Sequence, residues 1–283
     1  MTYELTLNPA QLQAILPAAV VFDVRHQLTD TEWGRKSYAA GHVPGAVHLH
    51  LDADLSSVPT GSNGRHPLPD AAAFAARLGA LGVGADTQVV VYDQNNGTMA
   101  ARLWWMLRHW LGHRAVAVLD GGWDAWVAAG APQSTEVPQR APARFDARVA
   151  ADVTVDAAGV LANIGAAAFT VVDARAPERY EGRVEPLDPV GGHIPGALNR
   201  PCGQNCDAQG RFKSAEQLRA EWTGVLGQRR ASAVVHQCGS GVTACHNVLA
   251  MELAGLGASR VYPGSWSEWS ADATRPVAKG PQP

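Results

Sequence analysis

Ala233-Val-Val-His-Gln-Cys238-Gly-Ser-Gly-Val-Thr-Ala-Cys-His246 sets an apolar, β-branched run against a glycine-rich loop, and a helical pattern runs on from Val242 to Leu256. Strand, tight loop and helix in that order form the repeating step of a parallel α/β fold. The loop also carries chemistry. Backbone N–H groups at a helix N-terminus bear partial positive charge, so a loop that turns them toward Cys238 favours its sulfur as a thiolate. The stretch reads as the seat of a nucleophile, with glycine at 239 and 241 permitting a tight turn and close backbone approach.

The chain carries a second copy of the same pattern. Val21-Phe-Asp-Val-Arg25 recurs as Val171-Val-Asp-Ala-Arg175, Gly41-His-Val-Pro-Gly-Ala46 as Gly192-His-Ile-Pro-Gly-Ala197, and Asp120-Gly-Gly-Trp-Asp-Ala-Trp126 as Pro263-Gly-Ser-Trp-Ser-Glu-Trp269. The offsets are 150, 151 and 143 residues, so length changes fall in the connecting loops, where they are best tolerated. Short strands are expected at 19–22, 88–92, 115–118, 169–172 and 233–236, and helices at 70–81, 98–111, 215–226 and 242–256. That alternation predicts a mostly parallel sheet in each copy, with helices on both faces. The expected division is a first domain over 1–135, a linker over 136–150 and a second domain over 151–283. Pairing Gly97 with Gly241 and Ala100 with Ala244 sets Gln94 opposite Cys238, so the first copy lacks a nucleophile.

Composition narrows the classes. With 46% hydrophobic and 17% charged residues, the 283-residue chain has apolar mass for two cores. A net charge of −3 gives no footprint for nucleic acid or an anionic membrane, and neither is expected as a partner. No run of eighteen apolar residues occurs and the N-terminus has no signal-like pattern, so a cytoplasmic location is expected. Four cysteines, none before residue 202, do not make a disulfide framework.

Some residues have plainer readings. Cys245 reads as a small buried residue. Cys202 and Cys206 have no second pair at ligand spacing, which leaves half a zinc site or a redox-sensitive pair only as alternatives to packing, and no metal or cofactor is expected. His42 and His193 recur in both copies and read as structural, as do Asp23 with Arg25 and Asp173 with Arg175, expected to pair or brace turns. The recurring tryptophans read as core. His236 reads as packing on a strand face. A cysteine phosphatase would need an arginine six residues beyond the cysteine, and position 244 is alanine.

Taken together, Cys238-Gly-Ser-Gly-Val-Thr-Ala-Cys245, the paired His-(Val/Ile)-Pro-Gly-Ala islands and Gly264-Ser-Trp266 resemble the tandem-domain rhodanese-type sulfurtransferases, and the loop looks most like that of the mercaptopyruvate sulfurtransferases. The resemblance spans about Leu5 to Gly280. It implies two rhodanese-like α/β domains, the first inactive and the second catalytic. Cys238 would take sulfur as a persulfide from 3-mercaptopyruvate and pass it to cyanide or a thiol, a thioredoxin-like reductant among them. Backbone amides of Gly239, Gly241, Val242 and Thr243 would hold the anionic sulfur. The resemblance further implies a relay of Ser240, His66 and Asp52, and a substrate carboxylate held by Arg179. The family's second arginine falls at Leu187 here, with Arg183 as the candidate replacement. Thiosulfate is the alternative donor, disfavoured by neutral Gly239 and Ser240 where its dedicated enzymes carry cations. A persulfide carrier serving a partner protein is the alternative role.

Overall fold

The computed structural model describes residues 2–283, which divide into two units, each built on one parallel sheet. The first takes the chain up to Ser57, Leu68–Ala150 and Ala208–Phe212; the second takes Val58–Pro67, Ala151–Asp207 and Lys213–Pro283. In the first, strands β1 (Thr6–Leu7), β2 (Val20–Asp23), β3 (Ala46–His48), β4 (Val89–Tyr92) and β5 (Val116–Leu119) lie in the order β1-β5-β4-β2-β3. In the second, β6 (Thr170–Asp173), β7 (Leu198–Asn199), β8 (Val234–Gln237) and β9 (Arg260–Val261) lie in the order β7-β6-β8-β9, and Thr154 bridges Val261 in parallel outside β9. Read from Thr154, the second order repeats the first. Two α/β domains of one topology, as expected, are what the chain forms.

The sequence accounts for the central strands. β2, β4, β5 and β8 are short valine-rich runs buried at every position, as a parallel sheet covered on both faces requires. β4 and β5 end where an aspartate, Asp93 or Asp120, begins a loop. The helices follow at Ala71–Ala80, Ala100–Trp105, Ala215–Leu226 and Ala244–Leu253, the first and third capped by Asp70 and Ser214. The two-residue edge strands have too little sequence for a periodicity to be read.

Register corrects one alignment. Asp23 lies opposite Tyr92 and Asp173 opposite Gln237, so the next residues, Asp93 and Cys238, are equivalent. The carbonyl of Asp93 accepts from Trp123 N–H at 2.8 Å and that of Cys238 from Trp266 N–H at 3.0 Å, which fixes the same correspondence independently. Cys238 therefore faces Asp93, not Gln94, because the loop of the first copy is one residue longer. By the same register His236 matches Val91.

The duplicated islands are braces. Asp23 takes the backbone N–H and guanidinium of Arg25, whose Nη2 donates to Gly41 O at 2.7 Å; Asp173 and Arg175 repeat this with Gly192 O at 2.6 Å. Each guanidinium lies over a tryptophan, Trp123 at 4.6 Å and Trp266 at 4.5 Å. His42 stacks on Tyr38 and His193 on Tyr180. Trp126, Trp266 and Trp269 are fully buried.

Two segments sit differently from the expected boundaries. Residues 136–150 form no regular element, yet their backbone is bound into the first unit: Ala143 N–H donates to Gly79 O, Arg148 to Leu111 O and Ala150 to Trp110 O. Residues 58–67 belong to the second unit, tied by Arg65 N–H to Ser267 Oγ at 3.0 Å. Among the described residues no helix is long and apolar enough to cross a membrane.

His236 is wholly buried, edge-on to Trp222, and burial pushes its imidazole down to about 3. The unfolded chain titrates near 6.5, so between about 6.5 and 3 it binds a proton that the folded state refuses, and stability falls as pH falls. His236→Phe is expected to flatten this slope by on the order of 1 kcal/mol per pH unit, measured by denaturant unfolding at pH 7 and pH 5.

Candidate active site

Cys238 stands one residue past β8, and three contacts fix its backbone and that of Gly239. Its N–H donates to Ser265 Oγ at 3.1 Å, its carbonyl accepts from Trp266, and Gly239 O accepts from Ser267 N–H at 2.8 Å. Ser265 holds a left-handed φ of 53°, unusual for a residue with a side chain, and its hydroxyl also donates to Tyr262 O at 2.8 Å. The first unit has Gly122 at this place with a φ of 57°. Gly241, at φ 77°, cannot carry a Cβ, which would lie 2.2 Å from Pro263 O.

The first unit shows what such a loop binds. Asp93 is fully buried, and its carboxylate accepts from the N–H groups of Asn95, Gly97, Met99 and Ala100 at 2.7–2.9 Å. Burial pushes this carboxyl up and the four amides pull it down. An acidic side chain thus fills the strand-to-helix loop from the position that Cys238 holds in the second unit. There, the backbone N–H groups of Gly239, Ser240, Val242 and Thr243 have no backbone acceptor among the described residues.

Around Cys238, which is 2% exposed, several residues named from sequence come together. Ser240 Oγ lies 2.7 Å from His66 Nδ1, and both are buried. Arg179 faces Gly239: a Cβ placed there would be 3.5 Å from Arg179 Nη1. Thr243 precedes the helix Ala244–Leu253, and its hydroxyl bonds the Cys202 thiol, which burial and the neighbouring Cys238 push up to about 11. Asp52 belongs to the first unit, where its N–H donates to His50 Nδ1 at 3.1 Å.

Arg183 is exposed and engages Glu181 at 2.6 Å and Glu178 at 3.9 Å. The second guanidinium at the loop is that of Arg65, 3.1 Å from the Cβ position of Gly239. Sequence reasoning missed it because Arg65 lies 174 positions before Gly239 and belongs to the sequence of the first copy; its one signal was its place beside His66.

The Cys206 sulfur lies 3.8 Å from His246 Nε2, whereas the Cys202 thiol meets the Thr243 hydroxyl. Cys245 is buried with its thiol donating to Gly241 O at 3.4 Å. Donor atoms of His26, His50 and Asp52 fall within 4.8 Å of one another. Both ring nitrogens of His50 are already engaged, one by the Asp52 amide and one by Thr31 O, so this group is not a ready ligand set.

The model of the rhodanese-like domain matches residues 8–129 and again 156–272. The chain belongs to the rhodanese-like family. It is 46% identical to the probable 3-mercaptopyruvate sulfurtransferase of Pseudomonas aeruginosa, over 97% of this chain and 98% of that protein. To the thiosulfate sulfurtransferase of Cricetulus griseus it is 38% identical, over 89% and 85%. Among solved structures, the 3-mercaptopyruvate sulfurtransferase from Leishmania major superposes with a TM-score of 0.83 at 32% identity, covering 94% of this chain and 74% of that one. This rhodanese-like chain is a sulfurtransferase, and its two copies of the domain correspond to the two units described above, except that residues 58–67 of the first copy belong to the second unit and 208–212 of the second copy to the first.

Asp93→Ala would leave four amides, those of Gly97 and Ala100 buried, without their acceptor. A loss of about 2–4 kcal/mol is expected in denaturant unfolding, with Asp93→Asn retaining part of it.

Proposed function

We propose that this sulfurtransferase takes sulfur from 3-mercaptopyruvate onto Cys238 and hands it from the resulting persulfide to cyanide or a thiol. The observation that carries this reading is the loop itself: a sulfur stands where the sister unit seats a carboxylate among backbone amides. Amides that stabilise a buried carboxylate in one copy suit a thiolate or persulfide anion in the other.

The Cys238 thiolate attacks the donor sulfur, the S–C3 bond breaks and its electron pair leaves on the pyruvate enolate. The thiol proton of the donor passes through Ser240 and His66 and ends on C3, giving pyruvate. Their separation of 2.7 Å suits such a relay. Family resemblance implies Asp52 as the third member. In the second half-reaction an acceptor thiolate or cyanide attacks the outer sulfur, and Cys238 departs as thiolate. A dithiol reductant of the thioredoxin type is the fitting thiol acceptor. All four cysteines are free, and we place the reaction in a reducing compartment, the cytoplasm.

Arg179 offers the carboxylate its guanidinium Nη1 beside Gly239, with the loop amides of Gly241, Val242 and Thr243 left for sulfur. Thiosulfate is the second reading, favoured by the similarity to a thiosulfate sulfurtransferase, whereas uncharged Gly239 and Ser240 speak for the keto acid.

Cys238→Ala is expected to abolish transfer from either donor, and mass spectrometry of the parent after donor treatment should find one added sulfur on Cys238. Ser240→Ala should lower kcat/KM for mercaptopyruvate relative to thiosulfate by about a hundredfold. Equal losses for both donors would defeat the relay, and a persulfide on another cysteine would defeat the nucleophile.

A further inference from the structure

A line of alternating charges runs through the second unit and ends beside the Cys238 loop. Asp173 pairs with Arg175, Arg175 with Glu185 at 3.3 Å, Glu185 with Arg179 at 2.7 Å, Arg179 with Asp188 at 3.2 Å, and Asp188 with Arg65. The three carboxylates are buried, with side-chain exposures of 0, 5 and 3%. Burial and Glu185 push the Asp188 carboxyl up, and the two guanidiniums draw it down.

The nitrogens left over are the informative ones. Arg179 spends Nε and Nη2 on Glu185 and Asp188, and Arg65 spends Nη1 on Asp188. Arg179 Nη1 and Arg65 Nη2 make no hydrogen bond among the described residues, and these are the two nearest atoms that a Cβ on Gly239 would meet, at 3.5 and 3.1 Å, with Arg179 Nη2 next at 3.7 Å. Two unspent guanidinium nitrogens thus converge on one point, one residue from Cys238. The point is open because residue 239 has no side chain. Arg65 is held there from behind: its N–H donates to Ser267 Oγ while Ser267 N–H donates to Gly239 O, so one serine ties the backbone of Arg65 to that of the loop.

We propose that Arg65 and Arg179 form a two-arginine clamp for the carboxylate of the sulfur donor, with Arg65 taking the part of the arginine missing at Leu187 and Asp188 setting the distance between the two forks. The assignment rests on the donor being a keto acid. Each arginine offers the carboxylate one nitrogen, and Asp188, which bridges the same two side chains, is a positioning residue. Gly239 is required because a methyl group there would occupy the clamp.

The test compares 3-mercaptopyruvate with mercaptoacetone, which keeps the thiol and ketone but lacks the carboxylate, and measures inhibition by pyruvate, which keeps the carboxylate but lacks the sulfur. In Arg65→Gln the preference in kcat/KM for the acid over the ketone is expected to fall about 10–100-fold, and the inhibition constant of pyruvate to rise by a similar factor. Arg65→Lys keeps charge without the fork and should fall between, which also serves if the glutamine variant folds poorly. Gly239→Ala should weaken pyruvate in the same direction. A preference and an inhibition constant within about twofold of the parent in both Arg65 variants would overturn the clamp. A parent that uses thiosulfate and neither keto donor would instead overturn the donor reading, and pyruvate that does not compete with thiosulfate in that parent would remove the clamp as well.

Discussion

A strand that ends and hands directly to a helix leaves several backbone N–H groups with nothing of their own to bond, and the fold must give them an acceptor, a place that suits an anion. In the first unit the anion is part of the chain: Asp93 satisfies four amides and is fixed by them. In the second, the equivalent position is Cys238, and the function proposed here is that of an anion able to leave with an extra sulfur and return without it. One constraint produces a structural plug in one copy and, in the proposed function, a reactive seat in the other.

The seat needs rigidity, and the duplicated elements supply it. The Asp-Arg brace closes each sheet onto the glycine of its His-Pro-Gly turn and stacks beneath a tryptophan, and the backbone of that tryptophan holds the carbonyl of Asp93 or Cys238. The second unit extends its brace outward, from Arg175 through Glu185 and Arg179 to Asp188 and Arg65. A buried ion pair alone is weak evidence of stability. A buried series that ends in two unspent donors beside a glycine is better understood as orienting those donors.

Much of this was legible in the chain. The central strands were readable because valine runs buried on both faces have one good solution, and the duplication because three islands recur in one order. Ser240 and His66, joined from the family pattern, lie in hydrogen-bond contact. The first-copy counterpart of Cys238 was misread because glycine spacing on the helix side places the extra loop residue wrongly, whereas strand register is fixed by hydrogen bonds across the sheet. Residues 136–150 looked like a linker because irregular backbone has no periodicity even where it is hydrogen-bonded into a domain, as at Ala143, Arg148 and Ala150.

The sequence alone determined the α/β class, the two copies and the lone cysteine in a glycine loop, since each follows from local pattern: apolar period, recurrence, and residue types that permit one kind of turn. Only the tertiary structure decided which residues share the loop with that cysteine. Arg65 reaches Gly239, Arg183 turns to surface glutamates, and residues 58–67 join the second unit, because long-range pairing depends on how distant segments pack and leaves no mark on the spacing of the residues it brings together.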